Sequence, residues 1–493
     1  MSQLLNRLPG LLGLLCLTLG LFYAGGAFAQ DAAPTAPIAE AAAPATDPAA
    51  IVEASGSGAA ATTIAATEAA APAEPETAAS PLLGHQVALE LDAAGTSWLG
   101  TSTALVLLMT LPGLALFYGG MVRRKNVVAT ITQSVGVFAV VTLVWFIAGY
   151  SIAFSANSDA ALQPYIGGFD ALFLNGVSLK TANALLPGIP EFLFISFQMT
   201  FAIITPALIT GAFAERFKYS ALLLFTALWS LLVYAPICHW VWGGGFLGSA
   251  GVLDFAGGAV VHVNSGVAGL VCAIFLGRRK GYGTEAITAH NPVLTMIGAS
   301  LLLVGWIGFN AGSAGAANDL MGVALLNTIL AAAAAALTWK IVEVIEKKKV
   351  SLIGMLSGVV AGLVAITPAA GFVDPKGAVI IGLIAGPVCY VSSVWIKKLL
   401  RYDDSLDAFG IHGAGGLIGA LLTGVFATTA INSLGEGANI PTQALGLAWT
   451  IAYSAVGTFI ILIICKFTTG LRVTDAQEAE GLDTTLHGEA LEH

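Results

Sequence analysis

Long apolar runs, separated by short polar segments, fill the chain from about residue 98 to residue 467. A helix needs about 20 consecutive apolar residues to cross the hydrocarbon core of a bilayer. The pattern therefore predicts an all-α, polytopic membrane protein with eleven transmembrane helices. The predicted spans are approximately 98–121, 127–152, 189–213, 219–238, 255–276, 292–311, 318–341, 351–372, 376–396, 409–430 and 442–467.

The basic residues of the connecting loops fall almost entirely on one side of these spans. Cytoplasmic loops of membrane proteins carry an excess of Lys and Arg, so we predict that the N-terminus lies outside and the C-terminus inside. The outer loops then hold only Lys180 and Lys376. The inner loops hold Arg123, Arg124, Lys125, Arg216, Lys218, Arg278, Arg279, Lys280, Lys347, Lys348, Lys349, Lys397, Lys398 and Arg401.

Two short patterns occur twice along the chain. The pattern His-x3-Gly-x2-Gly occupies residues 262–269 and again residues 412–419, and the tripeptide Ile-Thr-Pro occupies residues 204–206 and 366–368. These offsets predict that spans 1 to 5 are repeated as spans 6 to 10. Because five is an odd number, the second half must run inverted, an arrangement that transporters use around a midplane site. The eleventh span is left over.

The two repeats place His262 and His412 inside predicted membrane helices. Ionisable groups in a membrane are costly and mark transport paths, although each histidine could instead be a hydrogen-bonded core residue. Full-length, straight spans would hold His262 nearer the outer face and His412 nearer the inner face. The two side chains can therefore meet only if spans 5 and 10 begin inside the membrane, after buried non-helical backbone.

An acidic residue precedes each histidine. Asp254 and Asp407 are predicted to be symmetry mates, and a simple role for each is to cap a helix N-terminus. At a rise of ~1.5 Å per residue, Asp254 would lie about 12 Å from His262 along a straight helix, which excludes direct contact.

Composition agrees with a membrane protein. Of 493 residues, 57% are hydrophobic and 10% are charged, which soluble domains do not show. Residues 1–29 carry Arg7, an apolar core and a final Ala-Phe-Ala, as a removable signal peptide does. Residues 30–88 are rich in Ala and Pro, and we expect a disordered extracytoplasmic tail. A membrane domain, 89–470, and a cytoplasmic C-terminal tail, 471–493, complete the chain.

Two intramembrane histidines would also suit a haem or zinc site in a membrane redox enzyme or protease. The sequence has no His-Glu-x-x-His motif, and its cysteines lack paired metal-ligand spacing. We therefore expect that the protein is not an enzyme, that it holds no metal and no cofactor, and that it has no nucleic-acid partner.

Seven separate motifs resemble the ammonium transporter family, which also contains the methylammonium permeases and the Rh proteins. They cover nearly all of residues 98–489 and look most like the bacterial ammonium-transporter branch. The resemblance implies a homotrimer in the bacterial inner membrane, with one pore for ammonium or methylammonium in each subunit. The motifs are FAIITPALITGAFAER (201–216), APICHWVWGGG (235–245), LDFAGGAVVHVNSG (253–266), GWIGFNAGSAG (305–315), GLVAITPAAGFV (362–373), DAFGIHGAGG (407–416) and the tail GLRV…EGLDTTLHGE (470–489).

The resemblance implies roles for residues near the outer face. Ammonium is recruited between the aromatic face of Trp242 and the hydroxyl of Ser313, with Phe201 as part of the cup. Asp254 resembles the acid needed for recruitment or for departure of the proton. Phe201 and Phe309 resemble a stacked gate below this site.

Below the gate, the resemblance implies a pore lined by a pair of histidines. His262 and His412 match this pair, and we expect them to share a hydrogen bond and to relay a proton. Phe197, Trp306 and Thr367 match positions close to the pore.

The expected mechanism is deprotonation of ammonium, conduction of neutral ammonia, and separate transfer of the proton, which makes transport electrogenic. The alternatives are a passive, Rh-like channel for ammonia or carbon dioxide, and an ammonium sensor. A sensor would normally need an output domain, and only a short tail follows the last span. The basic inner loops and this tail suit a cytoplasmic regulator, and the resemblance implies a trimeric PII-type signal protein.

Overall fold

The computed structural model describes residues 83–491. The predicted signal peptide, 1–29, and most of the predicted tail, 30–88, lie outside these residues. The described chain contains ten helices that are long and apolar enough to cross a membrane, and one shorter apolar helix. In chain order these are α1 Ala93–Met121, α2 Arg124–Phe154, α3 Glu191–Phe213, α4 Tyr219–Ser249, α5 Gly258–Leu276, α6 Pro292–Gly312, α7 Asp319–Lys347, α8 Leu352–Ile366, α9 Pro375–Leu400, α10 Phe409–Phe426 and α11 Ile440–Thr468.

Each predicted span overlaps one of these helices, so the all-α membrane architecture is confirmed. The main difference is α8, which ends at Ile366 where a span over 351–372 was predicted. Turns follow α8 as far as Phe372. A count of eleven membrane helices depends on this short helix and stays a prediction.

The face where α1 begins is called the N-terminal face below, and the opposite face, where α11 ends, is called the C-terminal face.

Polar side chains fix where many of the helices begin. A carboxylate, amide or hydroxyl just before the helix accepts hydrogen bonds from backbone N–H groups of the first turn, which have no partner inside the helix. Proline follows the cap where the first helical position needs no N–H donor. The capping residues are Asp92 for α1, Asn291 for α6, Asn318 for α7, Ser351 for α8, Asp374 for α9 and Asn439 for α11.

A small sheet lies on the N-terminal face. Strand β1, Gln86–Ala88, pairs antiparallel with β2, Thr181–Asn183, in the loop between α2 and α3. Val87 is opposite Ala182 in the register. The last residues of the predicted disordered tail are therefore folded, and the ordered part of this face begins before residue 89.

The end of the chain packs on the C-terminal face. A short helix, α12 (Asp475–Glu480), is followed by a turn that places the Asp483 carboxylate 2.8 Å from the backbone N of Ala129 in α2. The Asn126 side chain accepts a hydrogen bond of 2.9 Å from the backbone N of Leu482. These contacts fix the C-terminal residues against the start of α2.

Buried ion pairs also stabilise the C-terminal face. The Arg279 guanidinium lies 3.2 Å from the Glu215 carboxylate and 2.9 Å from that of Asp403. Burial by itself raises the pKa of both acids. The neighbouring arginines, Arg279 first for each acid, outweigh burial and hold the pKa of both carboxyls below the ordinary values. Both acids are therefore charged partners of Arg279 at neutral pH.

Candidate functional site

The two repeated histidines meet in the middle of the helical bundle. His262 and His412 lie with their Nδ1 atoms 3.3 Å apart, and their rings are nearly parallel, with 19° between the planes. Both side chains are buried. At this distance one imidazole can donate a hydrogen bond while the other accepts it, depending on the tautomer of each ring.

The histidines meet because α5 and α10 both begin deep in the bundle. Helix α5 begins at Gly258 rather than at residue 255, after a non-helical segment, 254–257, that ends with Gly257 at φ 114°. His262 therefore lies in the first turns of its helix, as His412 does in α10. Each of these first turns has π-helical hydrogen bonding.

The glycines of the repeat allow the two helices to touch. A Cβ atom on Gly416 of α10 would lie 2.7 Å from the carbonyl oxygen of Gly258 and 3.0 Å from the Cβ of His262. A Cβ atom on Gly266 of α5 would overlap the backbone of Gly413, next to His412. Each glycine thus makes room for the backbone beside the other histidine. This reciprocal contact is the physical reason for the His-x3-Gly spacing.

Asp254 caps the buried start of α5. Its Oδ1 accepts hydrogen bonds of 2.9 and 2.6 Å from the backbone N of Gly257 and Gly258, and its Oδ2 accepts bonds of 2.8 and 3.0 Å from those of Ala259 and Val260. The side chain is buried. One carboxylate therefore satisfies four N–H groups that would otherwise lack partners inside the protein.

The counterpart of Asp254 is Asp404, and the pairing predicted with Asp407 was wrong. The Asp404 carboxylate accepts hydrogen bonds of 3.0 and 2.8 Å from the backbone N of Ala408 and Phe409 at the start of α10. Asp407 instead forms an ion pair with Lys397. The sequence contained the signal, because Asp404 precedes His412 by the same number of residues as Asp254 precedes His262.

An aromatic column leads from the histidines toward the N-terminal face. The rings of Phe201 and Phe309 stack with centroids 4.3 Å apart, and Phe309 contacts His262 at 5.9 Å. Trp242, which is half-buried, meets Phe201 edge-on at 5.9 Å. Its Nε1 donates a 2.8 Å hydrogen bond to the backbone oxygen of Asp254. Of the residues expected to form the outer cup and the gate, the three aromatic ones, Trp242, Phe201 and Phe309, therefore lie in one continuous series of ring contacts.

Two further aromatic residues complete the surroundings of this column. Phe197 contacts Phe201 with centroids 5.0 Å apart. Trp306 stacks on His262 at 5.2 Å, and its Nε1 donates a 2.9 Å hydrogen bond to the Thr367 hydroxyl. Trp306, which is itself held by Thr367, therefore packs on the His262 ring.

The hydroxyl groups near the column have partners in the protein. Thr367 donates to the backbone oxygen of Leu363 at 2.7 Å. Ser313 follows the last residue of α6 and donates to the backbone oxygen of Phe309 at 2.8 Å. Because the Ser313 hydroxyl hydrogen is engaged, its oxygen lone pairs are what this side chain can offer to a ligand.

The arrangement joins the half-buried Trp242 to a buried pair of imidazoles through the rings of Phe201 and Phe309. Within residues 83–491, no group of three His, Cys, Asp or Glu side chains is placed to hold a metal ion. The Nε2 atom of His262 is buried and has no hydrogen-bond partner in the described chain.

Comparisons with known proteins agree with this geometry. The model of the Ammonium Transporter Family matches residues 97–491. An ammonium transporter of Bacillus subtilis is 49% identical over 392 residues, covering 78% of this chain and 95% of the relative. An ammonium transporter of Aquifex aeolicus is 47% identical over 406 residues, covering 81% of this chain and 93% of the relative.

Solved structures give the same result. The crystal structure of Saccharomyces cerevisiae Mep2 is similar with a TM-score of 0.71 and 34% identity, over 78% of this chain and 90% of that chain. A structure described as a sensor Amt protein is similar with a TM-score of 0.73 and 31% identity, over 80% of this chain and 98% of that chain. This chain belongs to the ammonium transporter family.

Proposed function

We propose that this protein carries ammonium across the bacterial inner membrane, with the N-terminal face outside. In this proposal ammonium is recruited as a cation and deprotonated, and it crosses the bundle as ammonia past His262 and His412. The observation that carries the proposal is the contact of 3.3 Å between two buried imidazoles below a stacked pair of phenylalanines.

The recruitment step uses Trp242, Ser313, Phe201 and Asp254. An aromatic face attracts a cation by about 0.5–2 kcal/mol, and a hydroxyl oxygen accepts one N–H bond from it. Modest binding of this kind permits release into the pore. Asp254 acts at a distance, because its oxygens already accept four backbone hydrogen bonds.

The energetic costs favour deprotonation before the apolar column. Moving an isolated ion into apolar surroundings costs several kcal/mol, up to about 20 in the idealised limit. Removing a proton from an amine with a pKa of about 10 costs about 4 kcal/mol at pH 7. Loss of the proton is therefore the cheaper route past Phe201 and Phe309.

The imidazole pair suits the steps that follow. A neutral imidazole both donates and accepts hydrogen bonds, so it can solvate ammonia at one nitrogen and pass a proton at the other. The unpartnered Nε2 of His262 and the Nδ1 contact with His412 supply these two functions. The proton then crosses separately from ammonia, and transport carries net charge.

Reconstituted vesicles test this proposal. Ammonium and methylammonium pulses should each give a transient current in vesicles that contain the protein and none in empty vesicles. Ammonium uptake without current would favour the passive channel for ammonia or carbon dioxide. Absence of both would overturn the transport proposal and would leave the sensor alternative, which is favoured by the likeness to the sensor Amt protein.

We propose further that the protein acts as a homotrimer and binds a PII-type signal protein at its C-terminal face. The C-terminal residues packed there, together with the neighbouring basic loops, offer a charged surface to such a partner. Cross-linking in detergent tests the trimer. A pull-down with a PII protein, with and without 2-oxoglutarate, tests the second partner.

A further inference from the structure

A buried carboxylate at the N-terminal face is held by residues that precede the first membrane helix. Glu191, the first residue of α3, is fully buried. Its Oε1 lies 3.1 Å from the Nε2 of His85 and accepts a 2.7 Å hydrogen bond from the Tyr150 hydroxyl. Its Oε2 accepts a 2.8 Å hydrogen bond from the Gln86 side chain. Of these three donors, two come from one short segment of chain.

The segment that supplies these donors is itself held in place. Residues 83–88 lie against the loop between α2 and α3 through the pairing of β1 with β2. The Gln86 side chain also donates to the backbone oxygen of Gly176 in that loop, at 3.2 Å. Asn183, in β2, donates to the Tyr150 hydroxyl at 3.1 Å. The loop, the segment and the start of α3 therefore form one hydrogen-bonded unit, which is called the clasp below.

Part of the clasp lies outside the residues that the family model matches. The family model begins to match at residue 97, so His85 and Gln86 lie outside the matched region, whereas Glu191 and Tyr150 lie inside it. A buried carboxylate needs hydrogen-bond donors to stay charged. In this chain two of those donors come from a segment that precedes the matched region.

The clasp is mechanically connected to the candidate recruitment site. Helix α3 runs without a proline from Glu191 to Phe201, and its only proline, Pro206, comes later. Ten residues of helix span about 15 Å, so Phe201 and Glu191 lie about that far apart on one uninterrupted helical segment. Phe197, in the same segment, contacts Phe201, which in turn contacts Trp242 and Phe309. A shift at the start of α3 is therefore transmitted to the aromatic cup.

We propose that His85 and Gln86 are positioning residues, which hold the outer end of α3 so that Phe201 stays in register with Trp242 for ammonium recruitment. This proposal rests on the transport function proposed above. Loss of the clasp should weaken ammonium recruitment and leave the steps at the histidine pair intact.

The test compares full-length His85→Ala, Gln86→Ala and the double variant with the wild type in vesicles, over a range of ammonium concentrations. A positioning role raises the half-saturating concentration by about fivefold or more in the double variant and leaves the maximal current within about twofold. A purely structural role would lower the maximal current at an unchanged half-saturating concentration. That result, or no change, would overturn the proposal.

Two controls complete the test. His85→Gln keeps a neutral donor for Glu191 and should restore the wild-type half-saturating concentration, while His290→Ala removes a histidine from the opposite face and should have no effect. If the double variant does not fold, the single variants decide the question, because each leaves two of the three donors in place. Absence of both uptake and current in the wild type would contradict the transport proposal, whereas current with an unaltered response in the variants would contradict only the clasp.

Discussion

Helices α5 and α10 both begin with a capping carboxylate followed by a histidine, but the residues that contact the two starts differ. Asp254 accepts four backbone hydrogen bonds, and its own carbonyl accepts the indole N–H of Trp242. Asp404 accepts two backbone hydrogen bonds, and its carbonyl accepts one from Lys397 at 3.3 Å. At the start of each helix a carboxylate thus accepts hydrogen bonds from backbone N–H groups that have no partner within the helix. Only at α5 does the structure also connect this cap to the aromatic column.

This comparison separates what a helix start in the membrane requires from what transport requires. A buried N-terminus exposes N–H groups that must find acceptors, and a carboxylate at this position supplies them at either end of the bundle. The presence of an acid therefore does not by itself indicate a substrate site. The contact between Trp242 and the backbone of Asp254 is the feature that distinguishes the start of α5 from that of α10.

The largest expected effect comes from the histidines, one of which lies in the first turns of each helix. Replacing both histidines, as His262→Ala/His412→Ala, should lower the ammonium-dependent current about a hundredfold, because a positioned acid–base group contributes a factor of this order. Unaltered transport in this variant would exclude the relay. The double replacement by aspartate should instead admit potassium, which currents with potassium as the only permeant cation would detect.

The next largest effect should distinguish the two caps. Asp254→Asn keeps one acceptor oxygen for four N–H groups, and each buried donor left without a partner costs about 1–3 kcal/mol. We expect the current to fall about tenfold or more and the thermal unfolding midpoint to drop. Asp404→Asn affects only two N–H groups, so it should reduce the current and the unfolding midpoint by much less. Equal losses in the two variants would contradict the distinction drawn between the caps.

A smaller effect should come from the contact between the two helices. In Gly416→Ala the added methyl group meets the Gly258 oxygen and the His262 Cβ, so the imidazoles must separate by several tenths of an ångström. We expect a severalfold lower current from a protein that still folds. Gly322→Ala is a matched control, because a Cβ atom there has no neighbour within 4 Å. A normal current in Gly416→Ala would show that the close approach is not needed.

The sequence predicted that the two histidines meet, but it did not predict every structural feature that brings them together. The repeated His-x3-Gly pattern led to the condition that α5 and α10 begin inside the bundle, and Gly258 and Phe409 are where they begin. The apolar pattern placed the start of span 10 at residue 409, as observed, but it placed the start of span 5 at residue 255, three residues before Gly258. Asp407 was predicted as the counterpart of Asp254, although the constant offset of 150 residues between the histidines favours Asp404.

Other features depend on contacts between distant parts of the chain. His85 and Gln86 fall within a stretch whose composition predicts disorder, and their contacts with Glu191 and with β2 make them part of the fold. The early end of α8 likewise has no local signal apart from Pro368, two residues beyond it. Such features are set by tertiary pairing, which composition and periodicity do not contain.

The smallest predicted effect concerns the ion pairs of Arg279 with Glu215 and Asp403, beside the start of α10. Because Arg279 holds the pKa of Asp403 and Glu215 below 3.8 and 4.5, their contribution to stability is complete above these ordinary values and is lost as the pH falls through the lowered ones. The unfolding midpoint of the wild type should therefore stay nearly constant from about pH 7 to pH 5 and fall below about pH 4. Asp403→Asn should start lower and depend less steeply on acid. An equally steep acid dependence in this variant would contradict the assignment.

The most direct test of the central claim measures charge and substrate together. Current and ammonium uptake should be recorded on the same vesicles, for the wild type and for His262→Ala/His412→Ala. Separate transfer of a proton through the paired imidazoles predicts that each ammonium taken up by the wild type is accompanied by one positive charge, and that the variant loses this current. Uptake by the wild type without current would contradict the relay and leave passive conduction of ammonia in its place.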